Sequence, residues 1–254
     1  MNQIDEMISP EEINVDSFEV KDTLHPRFWN EEEQLDMHIR RALLVIAKDF
    51  IDEYNLGEYV IDDIIMTGSL ANYNWNEMFS DIDLHIIMDT SQLSEDSSLA
   101  KSITDAMRNV WNKTHTDISV GGFPVELYIQ DSHEPHKSSG VYSLLDGEWK
   151  TTPSLDKLSG EIEEDEIKTR AAEYMNIIDE IEKVYNNIEP LKMYHICSKL
   201  MDKIKAERAS GLTNDDAAEL TTGNLVFKSL RRSGHIEKLI DIKRRCFDRA
   251  RSIK

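Results

Sequence analysis

The stretch Met66-Thr67-Gly68-Ser69, followed after an eleven-residue gap by Asp81-Ile82-Asp83-Leu84-His85, decides how this chain folds. The second run continues as Ile86-Ile87-Met88 and alternates polar with apolar residues. As a strand it sets Asp81, Asp83 and His85 on one face and Ile82, Leu84, Ile86 and Met88 on the other. Helices can pack on the apolar face while the carboxylates meet solvent. Two ionised aspartates at this spacing repel each other, and a hard divalent cation with oxygen ligands converts that repulsion into attraction. Mg²⁺ is the cation that usually arrives with phosphates. Upstream, Val60 to Met66 reads as a strand ending at Gly68-Ser69, with Leu70-Ala71-Asn72-Tyr73 opening a short helix. Glycine lets the backbone approach a ligand closely, amides at a helix start attract anions, and Ser69 adds a hydroxyl donor.

A third carboxylate stands in Phe123-Pro124-Val125-Glu126-Leu127-Tyr128-Ile129-Gln130-Asp131. Alternation sets Glu126, Tyr128 and Gln130 on one face and Val125, Leu127 and Ile129 on the other. If this strand pairs beside the Asp81 strand, Glu126 completes a cluster of three acids.

Gly68-Ser69, the gap, Asp81-x-Asp83 and the later strand acid Glu126 resemble the DNA polymerase beta-like nucleotidyltransferase superfamily. The fuller strings, Thr67 through Trp75, Ser80 through His85 and Phe123 through Tyr128, are similar to uncharacterised members often found in bacteriophage genomes. The resemblance covers roughly the first 150 residues, a domain of ordinary size. It implies an α+β fold: a mixed β-sheet nucleotidyltransferase domain of the polymerase beta-like palm type, followed here by a C-terminal helical bundle. It also implies two Mg²⁺ ions, or Mn²⁺ in their place, and transfer of a nucleoside monophosphate from a nucleoside triphosphate to an acceptor hydroxyl, releasing pyrophosphate. Carried onto this sequence, Asp81 and Asp83 hold both metals and Glu126 shares the catalytic one. Gly68 and Ser69 hold the triphosphate.

Around these ligands, His85, Lys137 and Lys199 are candidates for a supporting role. His85 follows the aspartates on their own face, where it binds phosphate, orients a carboxylate, or is a hydrogen-bonded structural histidine. The segment His133-Glu134-Pro135-His136-Lys137-Ser138-Ser139-Gly140 follows the Glu126 strand and can overhang the site, or simply turn the chain at Pro135 and Gly140. Its two histidines lack a nearby cysteine partner for tetrahedral zinc. Tyr73 and Trp75 read as packing residues or loop anchors, with stacking on a base the alternative.

With 254 residues, 40% of them hydrophobic, the chain has material for a sizeable core. No apolar run approaches the length of a membrane span, and the start Met1-Asn2-Gln3-Ile4-Asp5-Glu6 is acidic where a signal peptide is basic, so a cytoplasmic protein is expected. Cys197 and Cys246 are far apart and read as reduced thiols. The formal charge of −20 argues against a wholly electrostatic grip on nucleic acid. From Asn224 to Lys254, however, ten Lys and Arg stand against three Asp and Glu. Those final helices can meet a nucleic acid, a triphosphate or the protein's own acids, and the last is favoured because intramolecular pairing is always available.

Residues 1–153 read as the catalytic domain with an acidic N-terminal lead-in, and 154–254 as a helical domain. Helices are expected over Glu31 to Tyr54, Leu99 to Trp111, Glu163 to Asn186, Pro190 to Ser210, Asp215 to Arg232 and His235 to Ser252. Hairpins are expected at Gly121-Gly122 and Asp146-Gly147. The competing reading is a catalytically silent scaffold that keeps the nucleotidyltransferase fold. A glycosyltransferase using Asp-x-Asp leaves Gly68-Ser69 unexplained.

Overall fold

The alternating run forms the expected strand in the computed structural model, which describes residues 7–136, 138–158, 162–211 and 220–252. Six strands build one sheet: β1 (Asp63–Thr67), β2 (Ile82–Met88), β3 (Ser119–Val120), β4 (Phe123–Asp131), β5 (Val141–Ser143) and β6 (Glu148–Thr151), in the order β3-β4-β2-β1-β5-β6. Every pairing is antiparallel except that of β2 with β4. The parallel pair needs a long crossover, and α2 (Ser97–Thr114) supplies it. The hairpins fall where the glycines place them, with Gly121, Gly122 and Gly147 all at positive φ.

Ile82, Leu84, Ile86 and Met88 are fully buried, as are Leu127 on β4 and Met66 on β1. Helix α1 (Met37–Glu53) packs on β2, and α2 packs on β4. Asp36 caps α1 by accepting from the amides of His38 and Ile39, and Asp96 caps α2 in the same way through Ser98 and Leu99. Helix α1 buries Ile39, Leu43, Ala47 and Phe50 at helical spacing. In α2 the buried side is Ala100, Thr104 and Trp111, while Val110 stays 53% exposed. The apolar Ile103, Met107 and Val110 are not the buried side of this helix; Trp111 meets the Phe50 ring edge-on and draws its own side inward.

The chain divides into two compact units, Val20–Asp156 and Met1–Glu19 together with Lys157–Lys254. The first 19 residues, read as a lead-in to the sheet domain, thus group with the helices. In that unit the Ile8 backbone exchanges two hydrogen bonds with the Asn176 amide, and the Arg232 guanidinium lies 4.4 Å from the Phe18 ring centroid and bonds Ser17. The helices are α3 (Glu164–Val184), α4 (Pro190–Gly211), α5 (Thr222–Arg232) and α6 (His235–Arg251), forming a bundle in which α4 packs on α5 and α6. Residues 215–219 of the expected third bundle helix lie outside the described residues. Helix α4 buries Met193, Cys197, Met201 and Ile204, whereas the apolar Leu191 and Ile196 are over a third exposed. Both cysteines are free and buried.

Candidate active site

Strand register sets two of the three acids, Asp83 and Glu126, opposite each other. β1 and β2 pair so that Thr67 faces Asp83 and Ile65 faces His85, while β2 and β4 pair so that Asp83 faces Glu126 and His85 faces Tyr128. Partners in register share a face, so Thr67, Asp83, His85, Glu126 and Tyr128 form one patch on the side of the sheet opposite Ile82 and Leu84. Asp81 lies just before β2. Its charge acts on the same spot: the Tyr128 hydroxyl is held far above its usual pKa by burial and by the charges of Asp83, Glu126 and Asp81. That hydroxyl donates to Glu126 Oε2. Three carboxylates bearing on one half-buried hydroxyl are an all-oxygen, strongly negative donor set, which fits a hard divalent cation.

Gly68 has a sharper role than the sequence suggests. It sits at φ 78° and ψ −165°, and a Cβ there would lie 1.9 Å from Asp83 Oδ2. Only glycine allows the Asp83 carboxylate to lie against this backbone. The helix expected after it is a single 3-10 turn, Ser69–Ala71, closed by Ala71 N–H to Gly68 O and Asn72 N–H to Ser69 O. One turn carries no helix dipole of consequence, so any phosphate contact rests on local amides and the Ser69 hydroxyl. Ser69 Oγ bonds Ser80 Oγ at 2.7 Å, tying the turn to the residue before Asp81. Behind the turn, Trp29 Nε1 donates to Leu70 O at 2.7 Å while its ring stacks on Trp149 at 4.4 Å. Tyr73 bonds Glu33 and Trp75 bonds Thr23 O, so both anchor loops.

His85 is half-buried and held neutral, its pKa pulled down to about 4 by desolvation, against which the Gln130 hydrogen bond works. Nδ1 lies 2.9 Å from Gln130 Oε1, Nε2 lies 3.3 Å from Thr67 Oγ1, and the ring stacks on Tyr128 at 4.9 Å. With both nitrogens engaged and the charge removed, it braces the patch instead of gripping phosphate. Alongside lies a cavity of about 870 Å³ whose lining includes Thr67, His85, Lys101, Arg108, Tyr128 and His136. The segment after β4 forms part of its wall, and Gln130 Nε2 reaches both Glu134 O and His136 Nδ1. Lys137 lies outside the described residues. Lys199 stands exposed on α4.

The far end of the same two strands carries a cluster that the sequence reading missed. Asp89, Asp131 and His133 offer ligand atoms within 4.8 Å of one another, a candidate metal-coordinating group. Its signal was available only through pairing, because Met88 faces Asp131 across the parallel pair. Asp131 is already engaged by the protein: it accepts from the Thr90 amide and hydroxyl, from the His133 amide at 2.8 Å and from His133 Nδ1 at 3.0 Å. Burial works against its ionisation, but these donors prevail and hold its pKa down at about 2.

The basic C-terminal stretch is largely spent inside the helical unit. Lys238 pairs with Asp179 and Glu182, Arg244 with Asp241 and Asp248, and Arg245 with Asp241, while Lys243 and Arg251 lie over the rings of Tyr194 and Phe247. Among the described residues no helix is long and apolar enough to cross a membrane.

No family model matches the chain, and a search of curated proteins finds no match. Among solved structures it is similar to the STING-associated CdnE c-di-GMP synthase from Capnocytophaga granulosa, at 14% identity over 85% of this chain and 84% of that chain, with a TM-score of 0.24. An overlap that loose carries neither fold nor activity across, and both rest on the residues themselves.

Proposed function

We propose that this protein is a divalent-metal-dependent nucleotidyltransferase of the polymerase beta-like type. The observation that carries the reading is the register of β2 and β4, which opposes Asp83 to Glu126 with Asp83 packed against Gly68. Asp81 and Asp83 would hold the ions and Glu126 would share the one nearer the acceptor. Two Mg²⁺ ions, or Mn²⁺, supply charge neutralisation at the attacking and leaving oxygens of an in-line displacement. Gly68, Ser69 and the turn they open position the triphosphate. Glu126 would help an acceptor hydroxyl lose its proton, as the acceptor oxygen bonds to the α-phosphorus and the bond from phosphorus to the departing pyrophosphate breaks. Most of the rate gain then comes from holding the reactants in line.

The acceptor class is a small molecule or a protein hydroxyl in preference to a long nucleic acid. The net charge of −20 and the ion-paired state of α6 both favour that choice. The test is incubation with α-labelled triphosphates, Mg²⁺ and fractionated cell extract, reading pyrophosphate release and the fraction that takes up label. Label transfer that stops with EDTA is expected. A folded protein that binds no nucleoside triphosphate in the presence of Mg²⁺ contradicts the reading and leaves a silent scaffold in its place.

A further inference from the structure

Strand alternation puts Tyr128 on the face of Glu126, and its contacts there give it a role that alternation does not assign. Its hydroxyl donates to Glu126 Oε2, which occupies one lone pair of the carboxylate and turns its other oxygen, Oε1, free of that bond. The ring that carries this hydroxyl is clamped on two sides. His85 stacks on it with centroids 4.9 Å apart and planes 29° apart, and the Arg108 guanidinium lies 5.6 Å from its centroid. His85 is in turn fixed by Thr67 Oγ1 and Gln130 Oε1. Thr67 is the residue immediately before Gly68, so a continuous set of contacts runs from the turn, through His85 and Tyr128, to Glu126.

We propose that Tyr128 is a positioning residue: it sets the rotamer of Glu126 and confines metal coordination to Oε1, giving Glu126 one-oxygen ligation across from Asp83. The proposal rests on the metal-site reading above. Ligating carboxylates are commonly oriented by such a hydrogen bond, and removing it weakens metal affinity or activity about 10–100-fold.

Tyr128→Phe keeps the ring and both of its clamps while deleting the hydroxyl. Mn²⁺ binding in the presence of a non-hydrolysable triphosphate, followed by water-proton relaxation, is expected to weaken about tenfold or more in this variant. In a Glu126→Gln background the same change is expected to add nothing, a non-additivity that a general loss of packing does not produce. Equal Mn²⁺ affinity in wild type and Tyr128→Phe overturns the positioning role. Mn²⁺ affinity that survives Asp83→Asn and Glu126→Gln overturns the metal-site reading beneath it, so the two failures are distinct. If Tyr128→Phe does not fold, a structure of the wild-type protein with Mn²⁺ decides. Glu126 ligating through Oε1 with Oε2 still held by Tyr128 supports the proposal, and both oxygens on the ion with Tyr128 turned away contradicts it.

Discussion

The two ends of the parallel pair β2–β4 carry similar residues and treat them in opposite ways. At one end, burial and the charges of Asp83, Glu126 and Asp81 together push the pKa of the Tyr128 hydroxyl up. At the other, donors from Thr90 and His133 surround Asp131 and hold its pKa at about 2. Glu126 too accepts from a protein donor, Tyr128, so what separates the two ends is the number of like charges bearing on one hydroxyl. Proximity alone therefore does not rank the two clusters. Asp89, Asp131 and His133 offer ligand atoms within 4.8 Å of one another, and at the opposite end Gly68 makes room for the Asp83 carboxylate.

The comparison breaks most visibly at Asp83. Asp83→Asn is expected to lower metal-dependent nucleotide transfer at least about a hundredfold, given what metal-held charge contributes to such a transition state, with the thermal midpoint little changed. Asp131→Asn is expected to do the reverse, costing about 1–3 kcal/mol of stability through lost charge-assisted hydrogen bonds while leaving transfer within a few-fold. Labelled-nucleotide turnover beside denaturant unfolding reads both. Activity lost in Asp131→Asn and kept in Asp83→Asn would exchange the roles of the two ends.

Gly68→Ala tests the crowded end from the backbone side. The added Cβ meets Asp83 Oδ2 at 1.9 Å in a conformation with φ 78°, so strain of about 1–3 kcal/mol is expected, together with weaker divalent binding as Asp83 is displaced. A Gly68→Ala protein as stable and as active as wild type would show that Asp83 does not need this contact.

The smallest effect is a pH dependence at the donor-rich end. In the fold the Thr90 and His133 donors outweigh burial and hold the Asp131 carboxyl down at about 2, below the ordinary value of 3.8. Its contribution is therefore fully present above the unfolded value and lost as pH falls through the folded one. The stability gap between wild type and Asp131→Asn should be constant near neutrality and shrink as pH is lowered from about 4 towards 2. A gap that stays unchanged through that window would mean that the Thr90 and His133 bonds do not depend on the charge.

Much of the sheet domain was legible because its signals are local. Alternation at Ile82–Met88, the glycine pair before Phe123 and the glycine after Asp146 each dictate backbone geometry within a few residues. Long-range facts were not legible in the same way. That β4 runs parallel to β2 with Glu126 opposite Asp83 is a matter of pairing across a 43-residue separation, which no local pattern encodes. The reach of Gly68 to Asp83 and of Tyr128 to Glu126 follows only once that register is known, although alternation had already put Tyr128 on the face of Glu126. In α2 and α4 the apolar residues outnumber the positions a single face can bury, so periodicity left two faces in competition.

The central claim is that a divalent cation binds at the Asp83–Glu126 end of the strand pair. Its most direct test is Mn²⁺ binding by water-proton relaxation, with a non-hydrolysable nucleoside triphosphate present, in wild type, Asp83→Asn and Asp131→Asn. The account predicts binding in wild type and Asp131→Asn and its loss in Asp83→Asn. Binding retained in Asp83→Asn and lost in Asp131→Asn would contradict it.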